Sequence, residues 1–475
     1  MRRGGSALVA ATWLGLTACA VGPDYRRPEL PTGESFRERP EETRSIADVP
    51  WWEVFRDATL VALIRESLES NRDLALATAN VETARYLAAV QRGELFPQVG
   101  YEADAARGDQ TFLGAVSPGL ETDDTFLTAL NLAWEIDVWG RIRRASEAAR
   151  AEMLASEAFR RGVVLSLVSA VAQAYFELRE LDLELEIALE SVASFQETRD
   201  LFERQYQGGV VSKLDALRAE AALAQAAATV PDLERRIVAK ENEISVLVGR
   251  PAGSIPRGEP LEVQTGPPEV PAGVPSLLLE RRPDLVEAEQ ALVASNARVG
   301  AAFAEYFPRI GLTAVAGSVS DELSDLLGAG NGLWSVGGSA LGPIFTAGRT
   351  TYAWRAAQSA SDSTQAAYEG AVLNALREVS DALTAREKLA IVRSEQQRAV
   401  AALRESVDIS RTRYLGGLAT YIEVLDAQQQ LYPAEFALAQ TERDQLLAVV
   451  EIYRTLGGGW QLYGALPEVP LPIAP

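Results

Sequence analysis

Tyr206-Gln207-Gly208-Gly209-Val210-Val211-Ser212-Lys213-Leu214-Asp215-Ala216-Leu217 superposes without a gap on Tyr414-Leu415-Gly416-Gly417-Leu418-Ala419-Thr420-Tyr421-Ile422-Glu423-Val424-Leu425, 208 residues further on. At the same spacing Gly140-Arg141 falls on Gly348-Arg349. Upstream, Arg72-Asp73-Leu74 and Glu94-Leu95-Phe96-Pro97 fall on Pro283-Asp284-Leu285 and Glu305-Tyr306-Phe307-Pro308, now 211 residues apart. A loop between Pro97 and Gly140 absorbs the difference. Four landmarks in one order make the chain two copies of one unit of roughly 200 residues, too long for a solenoid repeat.

Each copy reads as a helix, two strands, a very long helix, a turn at the Gly pair and another helix. No proline lies between Pro118 and Pro231 or between Pro343 and Pro433. A continuous helix over 140–207 would extend roughly 100 Å at about 1.5 Å per residue. Leu178, Leu181, Leu185, Ala188, Val192, Phe195, Phe202 and Tyr206 follow a 3.5-residue repeat, with Arg199 as the polar exception, which is a coiled-coil seam. The Gly pairs end the long helices, and Ser212 and Thr420 are placed to cap the next. Each copy is thus expected to close in a helical hairpin whose tip lies far from its strands.

The strands are expected over 97–107, 125–138, 309–320 and 333–345. In the second, Phe126, Leu130, Leu132, Trp134, Ile136 and Val138 share one face, and Thr125, Asn131, Glu135 and Asp137 the other. Apolar outside and polar inside over about ten residues is the pattern of an outer-membrane strand, although a half-buried strand of a soluble sandwich has the same period. The stretches 108–124 and 321–332 are polar and Gly-rich, as extracellular loops are. Four strands cannot close a barrel, and open edges are not tolerated in lipid. Oligomerisation is therefore required: two chains would give eight strands filled by side chains, three a wider pore.

The N-terminus begins Met1-Arg2-Arg3, runs through an apolar stretch from Ala7 to Leu16, and reaches Leu16-Thr17-Ala18-Cys19. This is the layout of a secretory signal. The tetrad, which holds the only cysteine of the chain, resembles the bacterial lipobox, whose cysteine carries lipid in the mature protein. Ala20 rather than Asp after it points to the outer membrane. One acyl chain anchors only marginally, so several chains or a second membrane contact are needed. The expected organisation is a signal peptide over 1–18, a lipidated extended segment over 19–50, a first repeat over 51–250, a Pro/Gly-rich linker over 251–273, a second repeat over 274–460 and a tail over 461–475.

Composition removes most chemistries. The 475 residues contain no His, one Cys and two Met, with 45 Lys plus Arg against 66 Asp plus Glu. Histidine relays, imidazole metal sites, internal disulfides and thiolate clusters are excluded. A net charge of −21 makes a nucleic-acid surface a poor reading. Gly337-Gly338-Ser339 and Gly328-Ala329-Gly330-Asn331-Gly332 do not precede helices as nucleophile or phosphate motifs must. The chain is read as no enzyme, with no cofactor and no metal beyond the covalent lipid on Cys19. A soluble periplasmic coiled-coil scaffold is a rival that the alternating strand 125–138 opposes.

Trp51-Trp52-Glu53-Val54-Phe55-Arg56-Asp57, the stretch 271–285 with Arg281-Arg282-Pro283-Asp284-Leu285, Phe307-Pro308, the two Gly-pair hairpins and Leu456-Gly457-Gly458-Gly459-Trp460 resemble the TolC-like outer membrane factors, most of all their OprM-like and NodT-like lipoprotein branch. The likeness covers 19–460. It implies a mixed fold: a homotrimer with a twelve-stranded transmembrane β-barrel, four strands per chain, above a long α-helical coiled-coil barrel in the periplasm. It further implies a passive exit duct for drugs or other small toxic compounds, energised by an inner-membrane resistance-nodulation-division transporter and joined to it by a periplasmic adaptor. Ducts for type I protein secretion or heavy-metal export are the alternatives. With Met153 the only methionine after Met1, a methionine relay for soft metals is absent.

From the resemblance, the adaptor contacts are the tips Gly208, Gly209, Val210, Val211, Ser212 and Gly416, Gly417, Leu418, Ala419, Thr420. The periplasmic gate falls on Ile422 and Asp426, spaced i and i+4 on one helix face. Three aspartates crowded on one axis repel, so this constriction is expected to favour cations and respond to pH. Where the branch often carries Arg three residues beyond the aspartate, this chain has Gln429, so other pairs are expected to hold the gate.

Overall fold

The computed structural model describes residues 20–30, 45–50, 54–55, 57–108, 123–264 and 275–458. The signal segment, Cys19, Trp51, Trp52 and Trp460 lie outside them. The two halves repeat, and three of their helices match in length. Helix α1 spans Ala58–Ser70 and α2 Arg72–Gly93, then come strands β1 Gln98–Gly108 and β2 Asp123–Ile136, followed by α3 Arg141–Gln207 and α4 Lys213–Leu247. The second half gives α5 Pro283–Ala304, β3 Arg309–Ser320, β4 Gly332–Leu341, α6 Arg349–Leu415 and α7 Tyr421–Thr455. Both α3 and α6 have 67 residues, and both α4 and α7 have 35.

The ends of two strands are corrected. Strand β2 ends at Ile136 and β4 at Leu341, short of Val138 and Phe345. Asp137 turns the chain instead: its carboxylate accepts from Ile142 N at 3.1 Å and Arg143 N at 2.8 Å, capping α3. Pro231 and Pro433 lie inside α4 and α7. Tertiary packing outweighs the one hydrogen bond each proline forfeits. Within α3 one stretch is apolar and long enough to cross a bilayer, yet 61% of it is buried in the protein, as in a packed core helix.

Chain contacts form two compact units that cut across the repeats: the first comprises 1–29, 79–157 and 287–369, the second 30–78, 158–286 and 370–475. The first holds one antiparallel sheet in the order β1-β2-β3-β4. Its register sets Tyr101, Leu130, Ala316 and Trp334 in one row, and Glu135, Gly311 and Ser339 in another. Because side chains alternate, Val99, Tyr101, Leu130, Leu132, Trp334 and Val336 share one face. Glu102, Asp104, Asn131, Thr313 and Ser335 share the other. Tyr101 is 83% exposed and Trp334 79%, so the apolar face is uncovered by this chain. Among the described residues, both edge strands, β1 and β4, have one side without a partner strand.

In the same unit the segment 20–30 is fastened alongside the strand ends. Val21 N donates to Trp139 O at 3.0 Å, Arg144 pairs with Asp24 at 2.7 Å, and Arg27 makes two hydrogen bonds to Glu289 at 2.7 and 2.6 Å. Trp139 stacks on Phe307 with ring centres 4.6 Å apart and donates to Pro308 O.

The second unit is held by buried pins. Asp57 caps α1 through Thr59 N and Leu60 N, and its carboxylate also accepts from Tyr175 Oη, Glu259 N and Gln264 Nε2. Arg282, 5% exposed, binds Asp284, Glu378 and the Thr455 carbonyl. Phe55, Phe176 and Tyr453 pack edge to face.

Candidate functional site

The tips and the candidate gate all lie in the second unit. Both long helices end alike. Val210 N reaches back to Gln205 O at 2.8 Å and Gly209 N to Tyr206 O at 2.9 Å; Leu418 N reaches Arg413 O at 2.8 Å and Gly417 N Tyr414 O at 2.9 Å. These paired bonds form the Schellman stop, which needs a left-handed residue, and Gly209 and Gly417 have φ of +72° and +71°. Ser212 accepts from Asp215 N at 3.3 Å to start α4, and Thr420 forms a capping box with Glu423 to start α7.

Each tip presents one apolar side chain at the same repeat position: Val210 is 74% exposed and Leu418 75%. Leu214 and Ile422, equivalent in the first turns that follow, are 56% and 55% exposed. A lone exposed leucine means nothing. The matched set gives the two hairpin ends the same exposed apolar residues.

Helix α7 splits cleanly into two faces. Tyr421, Val424, Ala427, Gln428 and Leu431 are buried, while Ile422, Asp426, Gln429 and Gln430 are exposed. Ile422 and Asp426 are thus one turn apart on the open face, as their spacing implied. Asp426 Oδ2 accepts from Gln430 Nε2 at 2.7 Å; Gln430, not Gln429, holds the carboxylate.

Sequence reasoning missed what seats this helix. Phe202 of α3 stands 3.8 Å from the Tyr421 ring and 5.7 Å from the Tyr414 ring, centre to centre. Ala219 and Val424 close the cluster. Tyr414 Oη donates to Gln205 Oε1 at 2.6 Å, Gln428 Nε2 to Ser194 Oγ at 2.8 Å, and Arg411 pairs with Glu197 at 2.8 Å. The available signal was Tyr414 itself, the first residue of the repeated tract. Of the seam residues, Phe195 and Phe202 are buried, whereas Tyr206 is 40% exposed because its counterpart Tyr414 occupies the cluster.

Further along the same helices charge is buried in pairs. Glu180 and Glu184 of α3, each with its side chain at most 3% exposed, bind Arg443 of α7 at 2.6 Å and Arg236 of α4 at 3.2 Å. Burial pushes the Glu180 carboxyl above its usual range although Arg443 draws it down. These groups fasten helices together. Their cations are all engaged by carboxylates, and among the described residues no cluster of His, Cys, Asp or Glu could hold a metal.

The chain matches the model of the outer membrane efflux protein family over residues 63–250 and 274–458. It is 36% identical over 459 residues to the solvent efflux pump outer membrane protein SrpC of Pseudomonas putida, covering 94% of this chain and 97% of that one. It is 33% identical over 453 residues to the cation efflux system protein CusC of Escherichia coli, at 94% and 97% coverage. Its fold is similar to that of the open MtrE outer membrane channel of Neisseria gonorrhoeae, with a TM-score of 0.83, 31% identity, and coverage of 93% and 99%.

Proposed function

The chain belongs to the outer membrane efflux protein family and is an outer membrane exit channel, not an enzyme; from that premise we propose how it assembles, gates and is tethered. The observation that carries the proposal is the sheet with two unpaired edges, one apolar face and one polar face. In lipid each edge must find a partner. Three copies joined β4 to β1 close twelve strands around the polar face. A head-to-tail contact of this kind makes a ring once the rotation closes.

In this reading the tips Gly208 to Ser212 and Gly416 to Thr420 seat a periplasmic adaptor, with Val210 and Leu418 as its apolar contacts. Ile422 and Asp426 from three copies form the periplasmic gate. Gates of this form need no energy source of their own; an inner-membrane transporter of the resistance-nodulation-division type supplies it. Cys19 carries lipid. Support comes from Ala20 to Leu30, fastened beside Trp139 at the end of β2, which places the residue after Cys19 next to the membrane-spanning sheet.

The cargo proposed is small toxic organic compounds, as the name of the SrpC relative suggests. Similarity to CusC favours metal cations as a second reading. Deleting the gene and measuring susceptibility to solvents, lipophilic drugs, copper and silver separates them. Hypersensitivity to organic compounds, restored by the cloned gene, is the expected result. Sensitivity to metals alone supports the second reading, and an unchanged profile across the panel contradicts both.

A further inference from the structure

The duplication breaks where α7 begins. At the repeat spacing of 208 residues, Tyr421 corresponds to Lys213, Phe202 to Ser410, and Gln205 to Arg413. The first hairpin therefore has none of the aromatic contacts of the second. Only the second tip sends two rings, Tyr414 and Tyr421, onto an aromatic residue of the other long helix.

Tyr421 is the first residue of α7 and only 6% exposed. Its neighbour Ile422 is 55% exposed on the opposite face. A helix turn is rigid over this distance, so where the Tyr421 ring sits decides where Ile422 and Asp426 point. Yet the seat is imperfect. The Tyr421 hydroxyl is buried and, among the described residues, has no hydrogen-bond partner. Burial pushes its pKa up to about 12, so it remains a neutral O–H. A phenylalanine would fill the same space without that penalty.

We propose that Tyr421 is the positioning residue of the gate: its ring seats the first turn of α7 on Phe202 and so holds Ile422 and Asp426 at the constriction, while its unpaired hydroxyl biases that seat toward release. Leaving the seat lets water satisfy the hydroxyl, so the closed arrangement is held firmly by packing but not too firmly to open. The bonds Tyr414–Gln205, Arg411–Glu197 and Gln428–Ser194 belong to the same seated arrangement. The proposal rests on the assignment of Ile422 and Asp426 as the gate.

The test is open probability of the purified full-length protein in planar bilayers, together with its apparent thermal midpoint in detergent, for Y421F, Y421A, I422A and D426A. Removing a buried unpaired hydroxyl should lower the open probability of Y421F by about tenfold and raise its midpoint. Y421A should raise open probability by at least that factor, because the seat is lost. A residue that served stability alone would let Y421F move the midpoint without moving open probability. Y421F at or above wild-type open probability overturns the proposal, and it does so even if Y421A fails to assemble. If I422A and D426A leave conduction unchanged, the gate assignment itself falls. If they raise it while both Tyr421 variants are silent, the Tyr421 proposal falls alone.

Discussion

Tyr414 Oη donates to Gln205 Oε1 at 2.6 Å, joining the last turn of α6 to the last turn of α3. The two residues are not repeat counterparts: Tyr414 matches Tyr206, and Gln205 matches Arg413. The duplicated chain thus carries a one-sided tie between the hairpin with Ile422 and Asp426 and the hairpin that has neither.

Gln205→Ala should loosen that tie. A half-buried side-chain hydrogen bond contributes about 0.5–1.5 kcal/mol net, so the spontaneous leak in bilayers should rise by a few-fold to about tenfold. Tyr414→Phe should give a similar rise. The double variant should add little to either, since both remove one bond. Additive effects would mean the two side chains act separately.

How much of this was legible beforehand differs between elements. The strands and long helices were, because binary patterning has a period that physics can read: β3 matches its expected span end to end, and the tips at 208–212 and 416–420 coincide with the breaks between helices. The shared exposed face of Ile422 and Asp426 was legible, since i and i+4 must share a side. The tie between the hairpins was not. Gln205, Ser194 and Phe202 lie far in sequence from Tyr414, Gln428 and Tyr421, and only tertiary packing brings them together. The tract 281–285, one of those that carry the family resemblance, has a structural part, with Arg282 bound to Asp284, Glu378 and the Thr455 carbonyl.

Arg282 makes a pH prediction possible. Burial raises the Asp284 carboxyl, but the hydrogen bonds and charge of Arg282 outweigh it, leaving the group below its usual range. A carboxyl depressed on folding contributes stability that is complete above its unfolded value of about 3.9 and is lost as pH falls through the lower folded value. The midpoint gap between wild type and Asp284→Asn should therefore be constant from pH 7 to about pH 4 and narrow below it. Arg282→Ala should cost more, because Glu378 and the Thr455 carbonyl lose their partner as well. Thermal scans of the detergent-extracted protein at a series of pH values check both.

Lipid on Cys19 is tested by growing cells with radioactive palmitate. Wild type should be labelled and Cys19→Ser should not. Because 20–30 is fastened by Arg144, Arg27 and Trp139, the unlabelled variant should still reach the outer membrane if exported with a cleavable signal. Labelling that survives the substitution would contradict the assignment.

The most direct measurement of the central claim is single-channel recording of the purified full-length protein in planar bilayers, comparing wild type with Asp426→Ala. Discrete conductance steps are expected from both, with larger or more frequent openings in the variant and a reversal potential in a salt gradient that shifts toward zero as the carboxylates are removed. Protein that inserts yet gives no steps would contradict a channel, and steps identical in size, frequency and ion preference between the two would contradict a gate built on Asp426.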